Sequence, residues 1–163
     1  RAEKRFGKKV LLAVVTHAHA DKIGGIRTLL GRGVRVIGTK QIADAAERNG
    51  YPRPEAAVTA NPQTFDIDGV RFEVFFPGAA HTADNITVYF SDEKVLFAGC
   101  IVKGAKDTTL GNTADGDVKA YPAAVSALMK RYPDAKKIVT SHSDPGGQEL
   151  LTHTLEIAKG AAK

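Results

Sequence analysis

The apolar positions of this 163-residue chain fall into short runs divided by polar loops. Residues 10–15 form a continuous run rich in β-branched side chains, which predicts a strand buried on both faces. Thr16-His17-Ala18-His19-Ala20-Asp21 follows directly, as a loop at that strand's C-terminal end. Residues 24–30 then have helical spacing, with Ile23, Ile26, Leu29 and Leu30 on one side and Gly31 and Gly33 as stops. Residues 34–37 read as a short strand. Thr39 is placed to cap a helix over residues 40–49, which Gly50 ends. Pro52, Pro54 and Pro62 mark a loop. Residues 63–66 and 70–76 read as a hairpin around Asp68-Gly69, and residues 86–90 and 94–98 as a second strand pair joined at Ser91-Asp92. A polar loop covers residues 103–115. Asp117 is placed to cap a helix reaching about Tyr132, with Pro122 tolerated in its first turns. A strand over residues 137–140 and an amphipathic helix over residues 148–159 complete the chain.

Crossover units mixed with hairpins predict an α/β fold whose helices cover both faces of one or two sheets. With no clear repeat, low-complexity segment or linker, residues 1–163 read as a single domain. Ala2-Glu3-Lys4-Arg5-Phe6-Gly7 reads as the last turn of a helix stopped by Gly7. The chain is therefore expected to begin inside a helix, with an N-terminal portion missing.

Composition narrows the classes. Sixteen Gly, seven Pro and one Cys exclude a collagen-like chain, long disorder and a disulfide scaffold. The longest apolar run is far shorter than the roughly 18 residues of a membrane helix, so no membrane partner is expected. A net charge of +5 raises nucleic acid as a partner. The charges are scattered, however, and the pairs Lys8–Lys9 and Lys136–Lys137 flank strands without interleaved aromatics. The expectation is no nucleic acid, with a preference for small anionic molecules.

The chemistry concentrates at strand ends. In an extended segment residues two apart point the same way, so His17, His19 and Asp21 are expected to face one concave site. Imidazole and carboxylate are good zinc ligands. His81, Cys100 and His142 each follow a predicted strand, where the loops of α/β sheets gather. Individually they also fit a solvated loop histidine or a small buried cysteine. Together the six are enough for two zinc ions with three protein ligands each, which would leave each ion an open position. His153, inside the last helix near Leu150, Leu151 and Leu155, is expected to be a hydrogen-bonded structural residue.

Thr16-His17-Ala18-His19-Ala20-Asp21-Lys22-Ile23-Gly24-Gly25 resembles the signature of the metallo-β-lactamase superfamily. The segments Pro77 to Asn85, Gly99 to Lys103, Gly111 to Asp115, Ser141-His142-Ser143 and Leu151 to Thr154 are similar to subclass B1 of the true β-lactamases. Cys100 stands where most superfamily members carry a bridging Asp, Lys22 where subclass B3 has His, and His17 where subclass B2 has Asn. The resemblance implies an αββα sandwich with part of the first sheet absent from this chain. It also implies a first zinc on His17, His19 and His81 and a second on Asp21, Cys100 and His142. The implied activity is hydrolysis of the β-lactam amide by a zinc-bound hydroxide, conferring antibiotic resistance. Asp21 would orient the nucleophile, Asn112 assist the oxyanion, and Lys103 receive the substrate carboxylate. Without the family, Lys103 reads as a solvated loop lysine and Asn112 as a turn residue. A periplasmic location is a family inference. Two other readings stay open: another hydrolase of the fold acting on a thioester or lactone, and a non-catalytic zinc-binding fragment whose sheet a second chain completes.

Overall fold

The computed structural model describes residues 2–163. They form two compact units, one running to Ala60 and the other spanning Asn61–Lys163.

The first unit opens with α1 (Ala2–Phe6). Gly7, at φ 64°, ends it by donating its N–H to the Glu3 carbonyl at 2.9 Å, as the sequence indicates. Then come β1 (Leu12–Val14), α2 (Ala20–Ile23), α3 (Ile26–Leu30), β2 (Arg35–Thr39), α4 (Lys40–Arg48) and β3 (Glu55–Val58). The three strands form a parallel sheet in the order β1-β2-β3. Thr39 caps α4 as expected, its Oγ1 accepting the Ile42 N–H at 3.1 Å. Ile42, Ala43 and Ala46 bury the inner face of α4. Gly38 lets that helix come close, because a Cβ there would lie 3.2 Å from Ile42 Cγ2.

Three expectations change here. The 10–15 run yields only a three-residue strand, and its residues are half-buried rather than buried on both faces. Among the described residues β1 pairs only with β2, so it is an edge strand. The proline-rich loop conceals β3, whose Glu55 accepts both guanidinium hydrogen bonds of Arg35 at 2.7 Å. The single helix over residues 24–30 is α3 alone; Gly24-Gly25 separates it from α2, and Leu30 is 41% exposed.

The second unit is a five-stranded sheet in the order β4 (Gln63–Ile67), β5 (Val70–Phe75), β6 (Thr87–Phe90), β7 (Val95–Gly99) and β8 (Lys137–Thr140). The first four pair antiparallel, and β8 joins β7 in parallel. The β4–β5 turn has positive φ at both Asp68 (54°) and Gly69 (77°), the backbone that an Asp-Gly hairpin provides. The helices α5 (Tyr121–Arg131) and α6 (Glu149–Ala161) bury Tyr121, Val125, Leu128, Leu150 and Leu151 in one core with Tyr89, Leu96 and Ile138. Asp117 accepts the Ala120 N–H at 2.9 Å, so it caps the turn leading into α5, and Pro122 falls in the helix's first turn. His153 has the hydrogen-bonded role expected of it, its Nε2 lying 2.8 Å from the Asp107 carbonyl.

Candidate metal centre

Each unit carries a cluster of metal-ligand side chains just past its strand ends. In the first, His17, His19 and Asp21 place their ligand atoms within 4.8 Å of one another. The expected residues come together, but not by strand alternation. The chain bends at residues 17–19 and α2 begins at Ala20, so Asp21 points from the first helical turn. His17 is 1% exposed, and its ring meets that of His19 edge-on with centroids 4.8 Å apart. His17 Nε2 lies 3.8 Å from Asp21 Oδ1, while Lys22 Nζ donates to the other carboxylate oxygen at 2.6 Å.

In the second unit Cys100 Sγ lies 3.5 Å from His142 Nε2 and within 4.8 Å of a His81 ring nitrogen. Gly99, at φ 62°, turns the chain out of β7 so that Cys100 follows the strand end, and His142 stands two residues beyond β8. His81 sits in a loop that Asn85 fixes. The Asn85 side chain, 1% exposed, accepts the Thr82 N–H at 3.0 Å and donates to the Gly78 carbonyl at 2.8 Å.

These donors fit zinc. A tetrahedral ion with Zn–S of about 2.3 Å and Zn–N of about 2.05 Å holds sulfur and nitrogen about 3.6 Å apart. The Cys100–His142 separation of 3.5 Å matches that edge. Thiolate, imidazole and carboxylate together are a borderline-soft set suited to zinc rather than to calcium or magnesium.

Lys103 and Asn112 occupy the 103–115 loop. The Lys103 ammonium donates to the Cys100 carbonyl at 2.7 Å. Burial lowers its pKa, against the opposing pull of Cys100 and Asp107. A Cβ at Gly111 would stand 4.0 Å from this Nζ, so Lys103 lies beside the turn that leads into Asn112. Asn112 is exposed and its Oδ1 accepts the Ala114 N–H at 3.1 Å. That is the turn role, and it leaves the amide NH2 as the donor group.

Tyr121 and Asp107 escape sequence reasoning. The Tyr121 hydroxyl donates to the Ile101 carbonyl at 2.8 Å, and burial with Cys100 nearby raises its pKa. Asp107 accepts hydrogen bonds from Gly104 and Ser143, which hold its carboxyl below the usual range. No periodicity marks either residue. The one available hint is that Tyr121 opens a helix whose next turns are apolar.

With two histidine-bearing clusters at strand ends of an α/β chain, comparison with known proteins settles the class. The model of the metallo-beta-lactamase superfamily matches residues 1–142, and the chain belongs to that superfamily. The metallo-beta-lactamase type 2 of Bacillus cereus is 38% identical over 157 residues, covering 96% of this chain and 61% of the relative. That of Bacteroides fragilis is 36% identical, covering 91% of this chain and 59% of the relative. The chain thus spans about three fifths of the length of the curated relatives it matches. Among solved structures, a metallo-beta-lactamase from Pontibacter korlensis is 42% identical with a TM-score of 0.91, covering 96% of this chain and 73% of that one. FIM-1 from Pseudomonas aeruginosa, in its mono-zinc form, is 31% identical with a TM-score of 0.90, covering 99% and 71%. The α/β metallo-β-lactamase fold expected from the sequence is therefore the fold of this chain.

Proposed function

We propose that the protein carrying this chain hydrolyses the amide bond of β-lactam antibiotics with two zinc ions and so confers resistance. The first ion is assigned to His17, His19 and His81 and the second to Asp21, Cys100 and His142, with residues 1–163 acting as one catalytic domain. The observation that carries the reading is the Cys100–His142 pair, whose 3.5 Å separation is close to the span of two ligands on one tetrahedral zinc. The relatives, named metallo-beta-lactamases, support the substrate class.

Zinc at such a centre supplies Lewis acidity, polarising a carbonyl and making water acidic enough to ionise near neutral pH. The chain's own groups do the rest. Asp21 orients the attacking water while Lys22 neutralises its second oxygen. The Asn112 NH2 donates to the oxyanion as the carbonyl becomes tetrahedral. The Lys103 ammonium binds the substrate carboxylate as a point charge. The family supports a periplasmic location. Among the described residues β1 is paired on one side, and a further strand, of this protein or of a second chain, would extend the sheet on the other.

Hydrolysis of a chromogenic cephalosporin, measured beside zinc content, tests this. Turnover should stop with a chelator and return with zinc. Cys100→Ala should lose the second ion while retaining the first. Turnover indifferent to the chelator, faster cleavage of a thioester than of the lactam, or full zinc content in Cys100→Ala would overturn the assignment.

A further inference from the structure

Asp107 lies between Lys103 and Asn112 in the 103–115 loop, and one of its oxygens does two jobs. Oδ2 accepts the Gly104 N–H at 2.7 Å and the Ser143 O–H at 2.9 Å. Gly104 is the residue after Lys103 and Ser143 the residue after His142. Both loops have further anchors. The Lys103 N–H donates to Thr154 Oγ1 at 2.9 Å, and the Asp107 carbonyl accepts from His153 at 2.8 Å, so α6 holds the first loop. Thr140 holds the second: its hydroxyl donates to the Ser143 carbonyl at 2.6 Å and accepts the Ser143 N–H at 3.2 Å. The two loops touch without clearance. A Cβ at Gly104 would collide with Ser143 Cβ and lie 2.7 Å from its Oγ.

We propose that Asp107 is a positioning residue that locks the Lys103 loop to the His142 loop through this shared oxygen, setting both the second metal site and the substrate-carboxylate site. The inference rests on the reading of His142 as a ligand and Lys103 as the carboxylate-binding residue. Outer partners that fix ligand orientation are typically worth about 10- to 100-fold in metal affinity. The geometry assigns the effect to the acceptor oxygen rather than to the negative charge. Asparagine can put a carbonyl oxygen at the same point and accept both hydrogen bonds, whereas alanine leaves the buried Gly104 N–H without its partner.

Asp107→Ala and Asp107→Asn separate these roles, with cobalt(II) in place of zinc so that the thiolate-to-cobalt absorption band reports the Cys100 site. Asp107→Ala should weaken cobalt binding at that site about tenfold or more. It should leave the other site unchanged, and should raise KM for a cephalosporin more than it lowers kcat. Asp107→Asn should restore cobalt affinity and KM together. Unchanged cobalt affinity in Asp107→Ala, equal losses at both sites, or an Asn variant as impaired as the Ala one would overturn the proposal. If the unsubstituted chain takes up no cobalt, the zinc reading itself fails, and amide hydrogen exchange of the metal-free chain decides on Asp107. Faster exchange at Gly104 and Ser143 in the Ala variant alone supports the lock, and equal exchange in all three proteins refutes it.

Discussion

Tyr121→Phe removes one oxygen from the centre of the second unit and leaves the ring in place. Tyr121 is fully buried at the start of α5. Its hydroxyl has one hydrogen, which goes to the Ile101 carbonyl at 2.8 Å; the Cys100 carbonyl is farther, at 3.4 Å. Ile101 is itself 2% exposed, so its carbonyl would lose that partner in a place water does not reach. Leaving a buried acceptor unsatisfied costs about 1–3 kcal/mol. For a protein of this size each kcal/mol lowers Tm by about 2–4 °C, so a mid-range loss predicts a fall of roughly 4–8 °C in a calorimetric or circular-dichroism melt. The Cys100 carbonyl should stay in place, because the Lys103 ammonium holds it at 2.7 Å. The thiolate-to-cobalt band should therefore survive the substitution. A Tm change below about 1 °C would refute the buried-acceptor argument. Loss of the cobalt band at an unchanged Tm would show that Tyr121, and not Lys103, fixes the Cys100 backbone.

Two further substitutions test other parts of the chain. Thr39→Ala removes the α4 cap and should cost about 1 kcal/mol by denaturant titration, with Thr39→Ser recovering most of it; equal stability of all three would contradict the cap. Glu73 is the second case. Burial acts to raise its pKa, but two hydrogen bonds from Arg131 (2.6 and 2.7 Å) and one from Tyr132 (2.7 Å) outweigh it and hold the carboxyl below its ordinary 4.5. A lowered folded-state pKa means that this stabilisation is present above about pH 4.5 and is lost as pH falls through the folded value. Arg131→Met removes the pairing with Glu73 together with the guanidinium that lies 5.0 Å from the centre of the Phe75 ring. It should cost about 1 kcal/mol at pH 7 and move acid unfolding to higher pH, and superimposable acid-unfolding curves would refute this.

What could be read from the sequence follows how local each cause is. The Thr39 cap, the Asp68-Gly69 turn and the strand at Lys137–Thr140 are decided within a few residues, and all three lie where expected. The segment Glu55–Val58 reads as loop, because Glu-Ala-Ala-Val has little β propensity and follows Pro52 and Pro54. It becomes a strand only by pairing with β2, a contact the local pattern does not carry. The half-burial of β1 has the same origin, since a run of apolar residues states what a strand can bury and not which neighbours it has.

The site divides along the same line. The residue types of the proposed ligands are chemically rare and stand near strand ends, so the sequence alone suggests His17, His19, Asp21, His81, Cys100 and His142 as candidates. Even there the strand pattern misplaces one residue, because Asp21 joins the histidines from a helical turn rather than from an extended strand. The groups proposed to position those ligands are ordinary residues in distant segments. Asp107 and Ser143 lie 36 residues apart and meet only because β7 and β8 run side by side and deliver both loops to the same end of the sheet. On the proposed reading, the precision of the site depends on residues that no motif marks. Substitutions at Asp107 or Tyr121 should separate the presence of the ligands from the accuracy with which they are held.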